Sequence, residues 1–322
     1  MLRIMYNKFM RNSTQKNLII DANNLLHRVF HVSKVLEKST PTSHIYLFLN
    51  SLKSLVELFS PKKVICVWDY RKEDCYNFRK MLDSEYKAQR DEIKNKEVYE
   101  YMPVIMELLN SLGIIQINPI NLEADDIIFW LAMKKYPNQS IVVSTDTDFY
   151  QLIGSDFPGN IIYNPKKKQS ITELYLKDYY NVNNGFEYII FKALRGDRAD
   201  NISGVKGIRS TRIQDIISLL KIDYDIDSLK DSSLLKEEEL EIFKHNLKMM
   251  KFDYNLISTE EEEHYEKCIS ETPEANKENF TLLIKELEFW NIYRKIDYWY
   301  STLANRLDIT DVISSLFDFE TE

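Results

Sequence analysis

Short unbroken apolar runs that close on an acid recur along the first half of the chain. They are Asn17-Leu18-Ile19-Ile20-Asp21, Val64-Ile65-Cys66-Val67-Trp68-Asp69, and Ile141-Val142-Val143-Ser144-Thr145-Asp146-Thr147-Asp148. Between them, apolar positions return at helical spacing, through Leu25, Leu26 and Phe30 and again from about Ser43 to Phe59. Continuous apolar strands separated by helices predict a parallel sheet covered on both faces, an α/β fold. In such folds ligands bind beyond the carboxyl ends of the strands, where Asp21, Asp69, Asp146 and Asp148 fall. A further helix is predicted from Glu123-Ala124-Asp125-Asp126, because Ala124, Ile127, Ile128, Leu131 and Ala132 keep the i, i+3, i+4, i+7, i+8 rhythm. Its three acids enter at the edge of a core, where clustered carboxylates repel unless something positive neutralises them.

Past residue 159 the pattern changes. Ile161-Ile162-Tyr163 and Gln169-Ser170-Ile171 predict a hairpin around Lys166-Lys167-Lys168, read as a solvated turn. The chain then becomes helical and reaches Gly196-Asp197-Arg198-Ala199-Asp200-Asn201-Ile202-Ser203-Gly204-Val205-Lys206-Gly207-Ile208. Three of the protein's seven glycines lie in these thirteen residues, so the backbone here has a special task. Gly204 and Gly207 flank Val205-Lys206 just before a helical run, Ser210 to Leu220, which can present backbone amides to an anion. Two helices joined by a tight turn is the plainer reading of the same residues. Asp197 and Asp200 are read as one helical turn apart. Beyond Ile222 the pattern is acidic and helical, and Glu260-Glu261-Glu262-Glu263 reads as a solvated face.

With 322 residues and 44% hydrophobic content, the chain can bury a large core. No apolar run approaches the roughly 20 residues of a membrane helix, and residues 1–17 lack the apolar block of a signal peptide. Residues 1–16 are read as a flexible extension. Cys66, Cys75 and Cys268 show no paired or metal-type spacing, which points to inert thiols in a reducing, cytoplasmic setting. The net charge of −8 argues superficially against a nucleic-acid partner. Setting aside Asp21, Asp69, Glu123, Asp125, Asp126, Asp146, Asp148, Asp197 and Asp200 leaves the remainder at +1, which permits local basic patches. Those nine carboxylates, with no histidine or cysteine among them, form a hard oxygen donor set suited to Mg²⁺ or Mn²⁺ rather than zinc.

The constellation, in this order, resembles the 5′-nuclease family: flap endonucleases, phage 5′-exonucleases of the RNase H type and the 5′-nuclease domain of bacterial DNA polymerases. The resemblance runs from about Leu18 to Arg212. It rests on Asp21-x-x-Asn24-Leu25, Phe78-Arg79 with Glu85-Tyr86-Lys87-Ala88-x-Arg90, Glu123-Ala124-Asp125-Asp126, Ser144-Thr145-Asp146-x-Asp148, and the Gly196–Ile208 stretch. It implies a PIN-like nuclease domain over 17–180 with a helical arch at about 70–100. It also implies a helical DNA-binding domain over 181–305 containing a helix-three-turn-helix motif. Two Mg²⁺ ions, replaceable by Mn²⁺, would be shared among the nine acids. Lys87 and Arg90 would act on the scissile phosphate, Tyr86 would stack on a terminal base, and Arg28, Arg79, Gly204, Lys206, Gly207, Arg209 and Arg212 would hold DNA. Arg209 stands where many members carry glycine.

The implied activity is structure-specific 5′-3′ cleavage of flapped or nicked DNA and RNA–DNA duplex, in RNA primer removal, by a monomer without membrane attachment. Residues 306–322, with Leu316, Phe317 and Phe319 among acids, resemble a peptide for a sliding clamp; a single-strand-binding protein is the other partner considered. A Mg²⁺-dependent phosphatase could also use Asp146-Thr147-Asp148, and a catalytically silent DNA-binding relative would keep the turn without the chemistry.

Overall fold

The computed structural model describes residues 15–35, 42–69, 78–88, 97–154, 159–223 and 226–304. The tail after residue 304, Arg90 and the middle of the expected arch lie outside the described residues.

The apolar runs are strands β1 (Asn17–Asp21), β2 (Val64–Val67), β3 (Ile115–Ile117), β4 (Ser140–Val143), β5 (Ile161–Asn164) and β6 (Gln169–Ile171). They form one sheet in the order β3-β2-β1-β4-β5-β6, with β6 alone antiparallel to its neighbour. Ile19 pairs with Ile65 on one side and Val142 on the other. Successive side chains of β1 point to opposite faces, and both are buried: Ile19 joins one hydrophobic core, Leu18 and Ile20 the other. A strand apolar on both sides must be covered on both sides, which is why these runs do not alternate with polar residues.

On the Leu18/Ile20 face lie α1 (Ala22–Val35), α2 (Ser43–Phe59) and α4 (Met102–Ser111), the short α3 (Phe78–Leu82) coming between α2 and α4 in sequence. On the Ile19 face lie α5 (Ala124–Trp130) and, after α6 (Glu173–Tyr180), α7 (Gly185–Arg195). A two-residue ladder, β7 (Gly196–Asp197) with β8 (Ile202–Ser203), leads into α8 (Ser210–Asp223) and α9 (Glu237–Met250). The ladder corrects the expected helical spacing: Asp197 is on a strand and Asp200 in the reversal that follows it.

The later helices return to the sheet rather than standing apart. Helix α10 (Thr259–Ser270) stacks Tyr265 on Trp130, with 5.8 Å between ring centroids. Helices α11 (Lys277–Glu286), α12 (Trp290–Tyr293) and α13 (Ile296–Leu303) add Phe280, Ile292 and Trp299 to the α1/α2 core. One hydrophobic core includes residues on both sides of residue 180, among them Leu176, Val182 and Tyr188. Glu261 departs from its expected solvation: it is 3% exposed, accepts from Ser258 N at 3.0 Å as the returning arm of a capping box, and accepts from Asn121 N at 3.2 Å. The lysine turn is also less free than its composition suggests, since Lys167 Nζ lies over the Tyr175 ring at 4.5 Å. Helix α5 runs on into a wide π-type turn over Leu131–Lys135, closed by Tyr136 N on Leu131 O at 2.8 Å. Among the described residues, no helix is long and apolar enough to cross a membrane.

Candidate functional site

Because the sheet order reverses at β1 and β4, their carboxyl ends open onto a crevice, and the acids converge there. Asp21 ends β1 and is buried. Its Oδ1 accepts from Asn24 N at 3.0 Å and its Oδ2 from Ser144 Oγ at 2.7 Å. The same hydroxyl accepts from Asp146 N at 3.0 Å, and Asp146 Oδ1 accepts from Asp148 N at 2.8 Å. One serine thus sets the spacing between the ends of β1 and β4. Asn23 does this for β2, its Oδ1 accepting from Asp69 N at 2.9 Å. Asn24 closes the loop by accepting from Thr145 N and Oγ1 at 3.1 and 2.9 Å. Asp125, one residue into α5, faces the same space.

The carboxylates sense one another. Burial, reinforced by the charges of Asp146 and Asp69, pushes Asp21 up to about 7 against its hydrogen bonds from Ser144 and Asn24. Asp125 is raised well above the ordinary range, first by burial and then by Asp146 and Asp21. Asp146 is raised by burial, with Asp200 and Asp197 adding repulsion that Lys192 and Lys87 oppose. A carboxyl raised in the folded state binds more protons than its unfolded counterpart between the two pKa values, so its ionisation opposes folding there. The metal-free protein is therefore expected to lose stability as pH rises from about 4 to about 7, by a few kcal/mol. Millimolar Mg²⁺ should flatten that profile. Thermal melts across this range check it, and a profile rising with pH would contradict the arrangement.

Three cations brace the acids. Arg79 is 5% exposed, donates in bidentate fashion to Asp126 at 2.7 Å on both arms, reaches Glu123 Oε2 at 3.2 Å, and donates from Nε to Met249 O at 2.9 Å. This corrects two expectations. Arg79 is a buried brace rather than a phosphate contact, and Asp126, 2% exposed, is its counter-ion and accepts from Glu123 N rather than facing the crevice. Tyr86, expected to stack on a base, is 3% exposed and donates to Glu123 Oε2 at 2.9 Å.

Lys87 does reach the crevice, its Nζ 2.9 Å from Glu123 Oε1. Its φ of +57°, unusual for a residue with a Cβ, is held by Lys87 N donating to Asp200 O at 3.1 Å. Beside it Asn201, at φ +61°, donates to Glu85 O at 2.9 Å.

Lys192, the third cation, was not singled out in the sequence. It sits on α7, 6% exposed, joined to Asp148 and to Asp197 Oδ2, the latter at 2.8 Å. Burial would raise Asp197, but Lys192 together with the backbone N–H groups of Ala199 and Asp200 outweighs it and holds the carboxyl below its usual value. The signal was position: a lysine four residues after Tyr188 and three after Ile189 on an amphipathic helix shares their buried face.

The glycine turn borders the crevice. Val205 N donates to Leu194 O at 2.9 Å, folding the turn against the end of α7. A Cβ on Gly204 would lie 2.2 Å from Arg195 O, so Gly204 is required for close packing. Gly207, at φ +70° with open space around it, is the one that shapes the exposed turn. Here a cleft of about 700 Å³ is lined by Arg195, Arg198, Lys206 and the turn backbone. Lys206 and Arg209 are exposed. Arg212 instead donates to Glu239 and to Leu234 O, so it braces α8 against α9 rather than facing DNA. Arg28 is half-buried on α1, and its Nε has no hydrogen-bond partner among the described residues.

The donor set fits a hydrated divalent cation. It is all carboxylate, burial and neighbouring charge raise Asp21, Asp125 and Asp146, and the charge of the set is only partly met by lysine. Among the described residues, no three of these side chains converge as a ready-made ion cage.

A group of mutually repelling acids thus lies at the switch point of an α/β sheet, beside a basic glycine turn. The family of the 5′-3′ exonuclease N-terminal resolvase-like domain matches residues 16–181, and the chain belongs to it. Flap endonuclease Xni of Psychromonas ingrahamii is 32% identical over 206 residues, covering 60% of this chain and 72% of that one. DNA polymerase I of Caldicellulosiruptor bescii is 29% identical over 319 residues, covering 92% of this chain, which spans only 36% of the polymerase. In fold, the chain is similar to the bacteriophage T5 D15 flap endonuclease solved with DNA and metal ions. That likeness has a TM-score of 0.57 at 21% identity and covers 88% of this chain and 99% of the other.

Proposed function

We propose that the protein is a divalent-metal-dependent 5′-3′ nuclease that hydrolyses phosphodiesters at flapped, nicked and RNA–DNA ends, in the removal of RNA primers during replication. The observation that carries this reading is the crowding of Asp21, Asp69, Glu123, Asp125, Asp146, Asp148, Asp197 and Asp200 around one crevice bordered by the exposed cations of the glycine turn. Two magnesium ions, or manganese in their place, would supply an activated water and stabilise the leaving 3′ oxygen. The carboxylates at the ends of β1, β2 and α5 would hold one ion, and the Asp146/Asp148 and Asp197/Asp200 pairs would hold or orient the other. The chain's own groups do the rest. Lys206, Arg209 and the turn amides tether duplex phosphates, while Lys87 places a positive charge where the transition state becomes more negative. Arg90 is assigned the same task.

The test uses 5′-labelled flapped, nicked and RNA-primed duplexes with and without Mg²⁺. Short 5′ products that require the metal are expected; cleavage of a small phosphate ester with none of DNA would favour a phosphatase. Lys87→Ala is expected to lower kcat about 100-fold while changing duplex affinity by less than about threefold. Single-turnover rates and equilibrium binding would separate the two, and a pure affinity effect would demote Lys87 to a tether.

A further inference from the structure

Helix α9 lies outside the segment that the family matches, yet the parts of the site meet at its end. Asn246, on its penultimate turn, is 2% exposed. Both of its amide hydrogens are used: Nδ2 donates to Ala193 O at 2.8 Å and to Ser203 O at 2.8 Å. Ala193 follows Lys192 on α7, and Ser203 is on β8, paired with Gly196 next to Asp197. One side chain therefore ties together the two arms of the reversal that carries Lys192, Asp197 and the glycine turn. Three residues on, Met249 O receives Arg79 Nε. Next, Met250 O accepts from Gln151 Nε2 at 3.0 Å and Phe252 N donates to Gln151 Oε1 at 3.2 Å. Gln151 belongs to the 3₁₀ turn Asp148–Leu152, which opens on Asp148.

We infer that the carboxyl end of α9 is the common fixture of the site, and that Asn246 is a positioning residue which sets the Lys192–Asp197 pair and the glycine turn against the acids of the sheet. This rests on the nuclease reading. The physical argument is one of satisfied polar groups. The carbonyl of Ala193 is buried and the bond to that of Ser203 is part-buried, and a buried carbonyl left without a donor is destabilising. Leucine at position 246 removes both donors, so the two arms relax independently toward other partners or toward solvent. A misplacement of about 1 Å at a reacting centre costs on the order of 100-fold in rate. Because the same shift moves the turn amides, duplex affinity should weaken with it, whereas a residue serving only stability would lower the melting temperature and leave both unchanged.

The experiment compares wild type and Asn246→Leu on a flapped duplex, at least 20 °C below the variant's melting temperature, measuring kcat, KM and binding in the absence of metal. A kcat lowered about tenfold or more, with KM raised about threefold, supports the inference. Unchanged kcat and affinity in a folded variant overturns it. Should Asn246→Leu not fold, amide hydrogen exchange on the wild-type protein decides. Positioning by α9 requires that residues 194–205 and 243–252 open together, with matching protection, and a turn that opens at least tenfold more often than α9 rules it out. Failure of the wild type to cleave would sink the nuclease reading alone, since the exchange measurement still decides the role of Asn246.

Discussion

Asp146→Asn is expected to lower cleavage by at least about 1,000-fold and yet to leave the metal-free protein as stable as the wild type, or more so. The side chain is nearly isosteric: Asp146 N still donates to Ser144 Oγ, and the amide oxygen of asparagine can still accept from Asp148 N. What disappears is one charge from a cluster in which Asp146 is repelled by Asp200 and Asp197 and itself raises Asp21 and Asp125. Relief of that repulsion favours folding, whereas loss of a hard oxygen ligand removes the means of holding the ion. Melting in EDTA and turnover in saturating Mg²⁺ check the two halves separately. A destabilised but active variant would show that Asp146 is a structural residue.

Arg79→Met has the opposite signature. It leaves Asp126 buried without its cation and Glu123 with Lys87 alone, and breaking one half of a buried pair costs about 3–5 kcal/mol. In a chain of this size that corresponds to a fall of about 10 °C in melting temperature. The double variant Arg79→Met/Asp126→Leu should recover much of the loss, because it removes the stranded charge as well. A single variant within about 1 kcal/mol of wild type by denaturant unfolding would mean that the bidentate pair is replaceable by water.

The parts of this architecture that were legible in the sequence share one physical origin. A strand buried on both faces must be apolar throughout, so β1, β2 and β4 stand out as runs, and the acids that close them stand out by contrast. The identity of each acid's neighbours was not legible. Asp125 and Asp126 are adjacent and chemically alike, yet a helix turns successive residues by about 100°, so one faces the crevice and the other faces Arg79. Arg79 and Tyr86 read as phosphate and base contacts because their segment resembles the family's arch; only the fold shows that Glu123 and Asp126 draw them inward. Lys192 was hidden for the converse reason, since a single cation on an apolar helix looks like an exposed residue until Asp148 and Asp197 are placed beside it. The role of Asn246 depends on carbonyls 53 and 43 residues away, and no local pattern encodes such a contact.

The bond from Arg79 to the carbonyl of Met249 spans 170 positions. A ribosome releases the acids of β1, β2, α5 and β4 long before it releases α9, and early segments begin to fold while later ones are still being made. Until residue 249 emerges, the guanidinium that neutralises Asp126 lacks one of its anchors, and the reversal holding Asp197 lacks Asn246. A half-made chain thus has the clustered acids without the frame that aligns them.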